Sequence, residues 1–93
     1  MRKEDSLMSL ETELINLTQD YLESRISLGD LYMWVQERQE ALGTIPSDAN
    51  VNQLAGAIML AEVEQFDNGA DEEEVRSWVA EDYAEIVGTR ALP

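Results

Sequence analysis

VNQLAGAIMLAEVEQF, residues Val51 to Phe66, has ten apolar residues in sixteen and no proline. Its apolar positions 51, 54, 55, 58, 59, 63 and 66 recur at helical spacing and cover well over half of a helical wheel. A helix apolar on so much of its circumference needs neighbours on several sides. Ala55, Gly56, Ala57 and Ala61 are small enough to let neighbouring backbones come close. One residue does not fit, because Glu62 falls inside the apolar arc beside Val51, Ala55, Ile58 and Phe66. The segment therefore predicts an all-α protein whose other helices surround this one.

Upstream, Leu7, Leu10, Leu14, Leu17 and Tyr21 follow a 3-4 spacing that Ile15 and Leu22 widen, which predicts an amphipathic helix over 7–24. Arg25 ends that stripe, where a long side chain reaches water. A second helix, 28–42, starts at Ser27 as N-cap with Asp30 at the capping-box position, and Ile26 and Leu31 are placed as a hydrophobic staple. Leu28, Leu31, Val35 and Leu42 point inward, Gly43 is placed as the residue after the helix, and Pro46 prevents continuation. Thr44 to Asp48 is the longest connection and the expected mobile loop. Ser47, Asp48 or Asn50 can cap the third helix, 50–68, which ends at Asn68-Gly69. A fourth helix, 72–87, starts with Asp71 as N-cap, Glu74 completing a capping box, and a weak staple of Ala70 with Val75. Three acids in its first turn suit the positive end of the helix dipole. Its stripe is Val75, Trp78, Val79, Tyr83, Ile86 and Val87, and Gly88 ends it. Residues 1–6 and 88–93 are expected to be loose tails of a single domain, 1–93.

The two marked helix starts align without gaps at an offset of 44 residues, Ile26–Glu37 on Ala70–Glu81, sharing cap, box, staple and Trp-Val-x-Glu. Upstream, the offset places Leu10, Leu14, Ile15 and Leu22 on Leu54, Ile58, Met59 and Phe66. The expected fold is a four-helix, bundle-like arrangement of two αα-hairpins, 7–43 and 51–88, with pseudo-two-fold symmetry. Capped amphipathic helices resemble one another by rule, so duplication and coincidence both stand; the four helices depend on neither. The offset relates Arg38 to Asp82, each on the apolar side of its helix. With Glu62 they point to a buried pair, Arg38 with Glu62 or Asp82, because a buried charge must be matched. Poised acids in a cleft are the alternative.

Composition narrows the chemistry. Without cysteine there is no disulfide or thiolate metal site, and without histidine the commonest general base and nitrogen ligand are missing. No phosphate loop, dinucleotide fingerprint, nucleophile elbow or metalloprotease motif is present. The run Asp67–Glu74 lacks the alternating order of a calcium loop. The expectation is no enzyme, no cofactor and no metal. No apolar run is long enough to span a bilayer, and MRKEDSLMSLETE lacks the apolar segment of a signal peptide, so a soluble, cytoplasmic chain is expected.

Twenty acidic residues stand against six basic ones, for a net charge of −14. Between Arg38 and Arg76 there are nine acids and no base. Such a chain repels nucleic acid and anionic membranes and attracts basic proteins. Seven carboxylates crowd one inter-helix turn: Glu62, Glu64, Asp67, Asp71, Glu72, Glu73 and Glu74. Leaving aside Glu62, which is placed inward, they form a candidate surface for a basic partner; a solvated turn that serves only solubility is the plainer reading. Trp34 and Trp78 are core residues or, failing that, anchors for a partner or a homodimer.

Tyr21-Leu22-Glu23-Ser24-Arg25-Ile26-Ser27-Leu28-Gly29-Asp30-Leu31 resembles the first helix–turn–helix of small acidic bacterial immunity proteins of the colicin D type. It also looks like a broader group of bacterial proteins of similar length. The resemblance covers a third of the chain and implies an all-helical inhibitor that covers the basic substrate site of a nuclease toxin with carboxylates. The leading expectation is an immunity- or antitoxin-like inhibitor of a basic, nucleic-acid-processing protein. A DNA-mimicking phage-type inhibitor of a nuclease complex is its near relative. The alternative is a structural or assembly module that self-associates through its tryptophan-bearing helices.

Overall fold

A computed structural model of the chain describes the backbone of residues 3–91 and the side chains of residues 10–88. Every regular element among them is helical: α1 Lys3–Leu22, α2 Leu28–Glu37, α3 Gln39–Leu42, α4 Asn50–Glu62, a π-helical turn Val63–Asp67, and α5 Glu72–Ala91. The apolar helix α4 packs against α1, α2 and α5, and α1 packs in turn against α2 and α5. Val51, Leu54, Ala55, Ile58 and Ala61 of α4 are buried among Leu14 and Tyr21 of α1, Leu28, Leu31, Trp34 and Val35 of α2, and Val75 and Val79 of α5. Burial of this apolar area, at roughly 25 cal/mol per Å2, is the main term holding the helices together. None of the helices among the described residues is long and apolar enough to cross a membrane.

Local chemistry sets the α1–α2 turn. Ser24 adopts a left-handed φ of 65°. The amide of Arg25 donates to the carbonyl of Asp20 (2.7 Å) and that of Ser24 to Tyr21 (3.0 Å), the bond pair of a Schellman ending. Three residues later the Ser27 box closes in both directions: the Asp30 amide donates to Ser27 Oγ (3.1 Å) and the Ser27 amide to Asp30 Oδ2 (3.2 Å). Asp, shorter than the usual Glu, completes the box. The second expected box does not form. Neither Asp71 nor Glu74 makes a side-chain hydrogen bond among the described residues, and at the start of α5 the Val75 amide donates to the Asp71 carbonyl (2.9 Å).

Several boundaries move. The segment 28–42 is two helices, because the Arg38 amide donates to Val35 (3.1 Å) at φ −114° instead of extending the α-helical ladder. The Trp34 carbonyl accepts from Arg38 Nη1 instead (3.3 Å). In the segment 50–68 the α-helix ends at Glu62 and the chain widens into the π turn, with the Asn68 amide bonded to Val63 (3.1 Å). A π turn advances by a smaller angle per residue. The 3-4 spacing therefore stops predicting burial, and Val63 and Phe66 are exposed. Gly69, at φ 74°, then turns the chain toward α5. Gly88 does not stop α5, which runs on to Ala91, and residues 3–6 belong to α1. The side chain of Leu7 and residues 1, 2, 92 and 93 lie outside the described residues.

The Thr44–Asp48 connection is tied down. Asn52 Nδ2 donates to the carbonyls of Leu42 (3.1 Å), Ile45 (3.1 Å) and Pro46 (3.0 Å), and Gln53 Nε2 donates to Asp48 (2.9 Å). Ala49 holds the cap position of α4 with no side-chain cap bond, so none of Ser47, Asp48 and Asn50 caps that helix. Helix α4 thus anchors the loop that precedes it from inside its own first turn.

Candidate functional site

The three charges expected to meet in the core do not. Arg38 folds back on its own helix, with its guanidinium 4.5 Å from the centre of the Trp34 ring and 3.5 Å from Glu37. It makes no ion pair with Glu62 or Asp82. All three residues are only half-buried. Water reaches them, and the demand for a buried partner disappears.

The tryptophans part company. Trp34 is 7 % exposed and belongs to the core, with its indole N–H directed at Glu13 Oε1 (3.5 Å). Trp78 is 37 % exposed and lies on the side of α5 that faces α4. There it forms one wall of a hollow of about 370 Å3. Leu60, 62 % exposed, forms the other wall. Ala57, Ala61 and Val79 also line it, and Glu64, Glu81 and Asp82 supply its charge. A second hollow of about 360 Å3 shares Ala57 and Asp82 and continues to Gln53, Glu85 and Ile86. The two form a trough between α4 and α5 whose charged lining, among the described residues, is acidic. Small alanines on α4 open it. On α5, Trp78, Glu81, Asp82 and Glu85 recur at i, i+3, i+4 and i+7 on one helix stripe beside the buried Val75–Val79 edge.

The acidic run is not one surface. Glu64 is half-buried, faces the trough and accepts a hydrogen bond from Asn68 Nδ2 (3.0 Å). Glu72 and Glu73 face a separate hollow beside the α1–α2 turn, lined also by Arg25, Asp30 and Arg76. Glu72 is paired there with Arg76 (3.0 Å), and Arg25 is held by Asp20 (2.9 Å) and Glu23 (3.0 Å). Asp67, Asp71, Glu73 and Glu74 are exposed and have no ion-pair partner among the described residues. Among the described residues, no group of three or more acids is arranged to hold a metal ion.

Of the residues singled out from sequence, the trough joins Glu64, Trp78 and Asp82, and it excludes Trp34. It adds Leu60 and Glu81, which the sequence reading passed over, and the second hollow adds Glu85. For Leu60 the signal was present as a second stripe, Gln53, Ala57, Leu60, Ala61 and Glu64, next to the buried one. Comparison of the chain with protein-family models, curated proteins and solved structures finds no match.

Proposed function

We propose that this protein is a non-enzymatic binding module whose carboxylates cover the basic site of a nucleic-acid-processing protein, as an immunity- or antitoxin-like inhibitor does. The observation that carries this reading is charge left without an internal counterpart. Asp67, Asp71, Glu73 and Glu74 are exposed and unpaired among the described residues, and in the neighbouring hollow the charged residues among those described, Glu64, Glu81 and Asp82, are all acids. Exposed carboxylates without internal counterions steer and hold a cationic partner. Self-association through both tryptophans has less support, since Trp34 is buried and two chains of net charge −14 repel each other.

The same reading takes the architecture as two αα-hairpins in a four-helix, bundle-like arrangement related by the 44-residue offset. On it, the two Trp-Val-x-Glu segments have diverged, one ring serving the core and the other the surface.

The test is capture of partners from the host's nuclease-treated lysate on immobilised protein, with elution by a salt gradient. A basic nuclease or nucleic-acid-binding protein released at moderate salt is the expected result. It should elute at lower salt from a variant with Asp67→Asn, Asp71→Asn, Glu73→Gln and Glu74→Gln. An empty column, or only the protein itself eluting independently of salt, would contradict the proposal.

A further inference from the structure

The trough between α4 and α5 shows more than its acidity, because its shape and its apolar walls restrict what fits it. From Gln53 to Glu64 it runs along eleven residue steps of α4 and the start of the π turn. At about 1.5 Å per residue that is roughly 16 Å, or three helical turns. Across it, Leu60 and Trp78 stand on opposite walls as two of the few large apolar side chains left exposed. Ala57 and Ala61 leave the gap between them open. Glu64, Glu81 and Asp82 are set around the same gap.

We infer that this trough is the docking site for a cationic amphipathic helix of a partner protein. One apolar side chain of that helix enters between Leu60 and Trp78, and lysine or arginine residues one turn to either side meet Glu64, Glu81 and Asp82. A three-turn trough between two helices matches the ridge-into-groove packing of a third. Charge decides among the occupants. A second copy of this chain would bring net charge −14 to an acidic site, and an anionic membrane or nucleic acid would meet the same repulsion. An amphipathic helix with basic flanks satisfies both the walls and the rim. This inference rests on the reading of the protein as a binder of basic partners and places the partner's docked helix on the α4–α5 face, the exposed Asp67, Asp71, Glu73 and Glu74 carboxylates being left for other basic groups of the same partner.

The probe is a synthetic fourteen-residue peptide (about four turns) with leucines on one helical stripe and lysines elsewhere, compared with a scrambled peptide of the same composition. Affinity is measured by calorimetry and location by amide chemical shifts. The helical peptide is expected to bind about tenfold or more tightly than the scrambled one, with shifts confined to residues 53–64 and 78–86. Leu60→Ser and Trp78→Ser alter exposed side chains and should each weaken it about thirtyfold, the size of a hot-spot loss. Asp71→Asn, Glu72→Gln and Glu73→Gln combined, outside the trough, should change it less than about twofold. Equal binding of the two peptides, or shifts centred on residues 71–74, would overturn the inference. So would a concentration-dependent dimer whose shifts fall in the trough. A lysate partner held equally well by the Leu60→Ser, Trp78→Ser double variant would sink the groove while leaving the broader binding function standing. Peptide binding in the trough with no basic partner captured would do the reverse.

Discussion

Tyr21 shows how much one atom decides. The ring is 1 % exposed and lies against the Arg76 guanidinium, 5.3 Å from the ring centre, yet its hydroxyl has no hydrogen-bond partner among the described residues. A buried donor without an acceptor costs about 1 to 3 kcal/mol. Tyr21→Phe keeps the ring contacts and removes the orphan group, so it should stabilise the protein by about 1 kcal/mol in thermal or urea melts. Burial holds the phenol above its ordinary value of 10.0, with Arg76 opposing that shift and Glu72 adding to it. As pH rises the unfolded chain loses this proton first. The stability linked to it is therefore full below pH 10 and is lost as pH rises through the higher folded value. The phenylalanine variant should lack that part of the alkaline loss. Ser24 is the second lever at this scale. A left-handed φ of 65° costs a non-glycine residue about 1 to 2 kcal/mol. Ser24→Gly should raise stability by about 1 kcal/mol, less than the full strain because glycine has more freedom to lose on folding. A variant less stable than the parent would mean that the Schellman turn depends on the serine itself.

Elements form here where neighbours in sequence satisfy one another, and those were legible. The Ser27–Asp30 box and the Gly69 turn before α5 depend on residues within a few positions, and sequence rules reach that far. The break at Arg38 and the π turn at 63–67 do not announce themselves. Arg38 leaves the ladder while its own guanidinium takes the carbonyl released by Trp34, an exchange invisible to periodicity. The Thr44–Asp48 loop illustrates the same limit, since its restraint comes from Asn52, a residue that the apolar pattern treats as filler. Asn52→Ala leaves three carbonyls without that donor. It should cost about 1 to 2 kcal/mol and speed amide exchange across residues 43–49, with the core helices of the native state little changed. Unchanged exchange there would show that the loop is held by other means.

For the molecule as a whole, the apolar stripe of Val51–Phe66 made an all-helical chain around a central helix legible, because α4 could not bury so wide a face otherwise. The candidate site was legible only in part. The sign and density of charge pointed to a basic partner, and Glu64 and Trp78 were both singled out. That they share one trough depends on how α5 lies along α4, which no local spacing encodes. The same dependence undid the buried pair of Arg38 with Glu62 or Asp82, since half-exposed positions free each charge from needing the other. With a net charge of −14, binding steered by the carboxylates is salt-dependent, which gives the account its most direct test. The captured partner's turnover of nucleic acid should be titrated with this protein at low and at high salt. The account predicts complete loss of turnover near one equivalent at low salt, relieved by salt and by the quadruple Asp67, Asp71, Glu73 and Glu74 neutralisation. A partner that stays bound and processes nucleic acid at its full rate would contradict it.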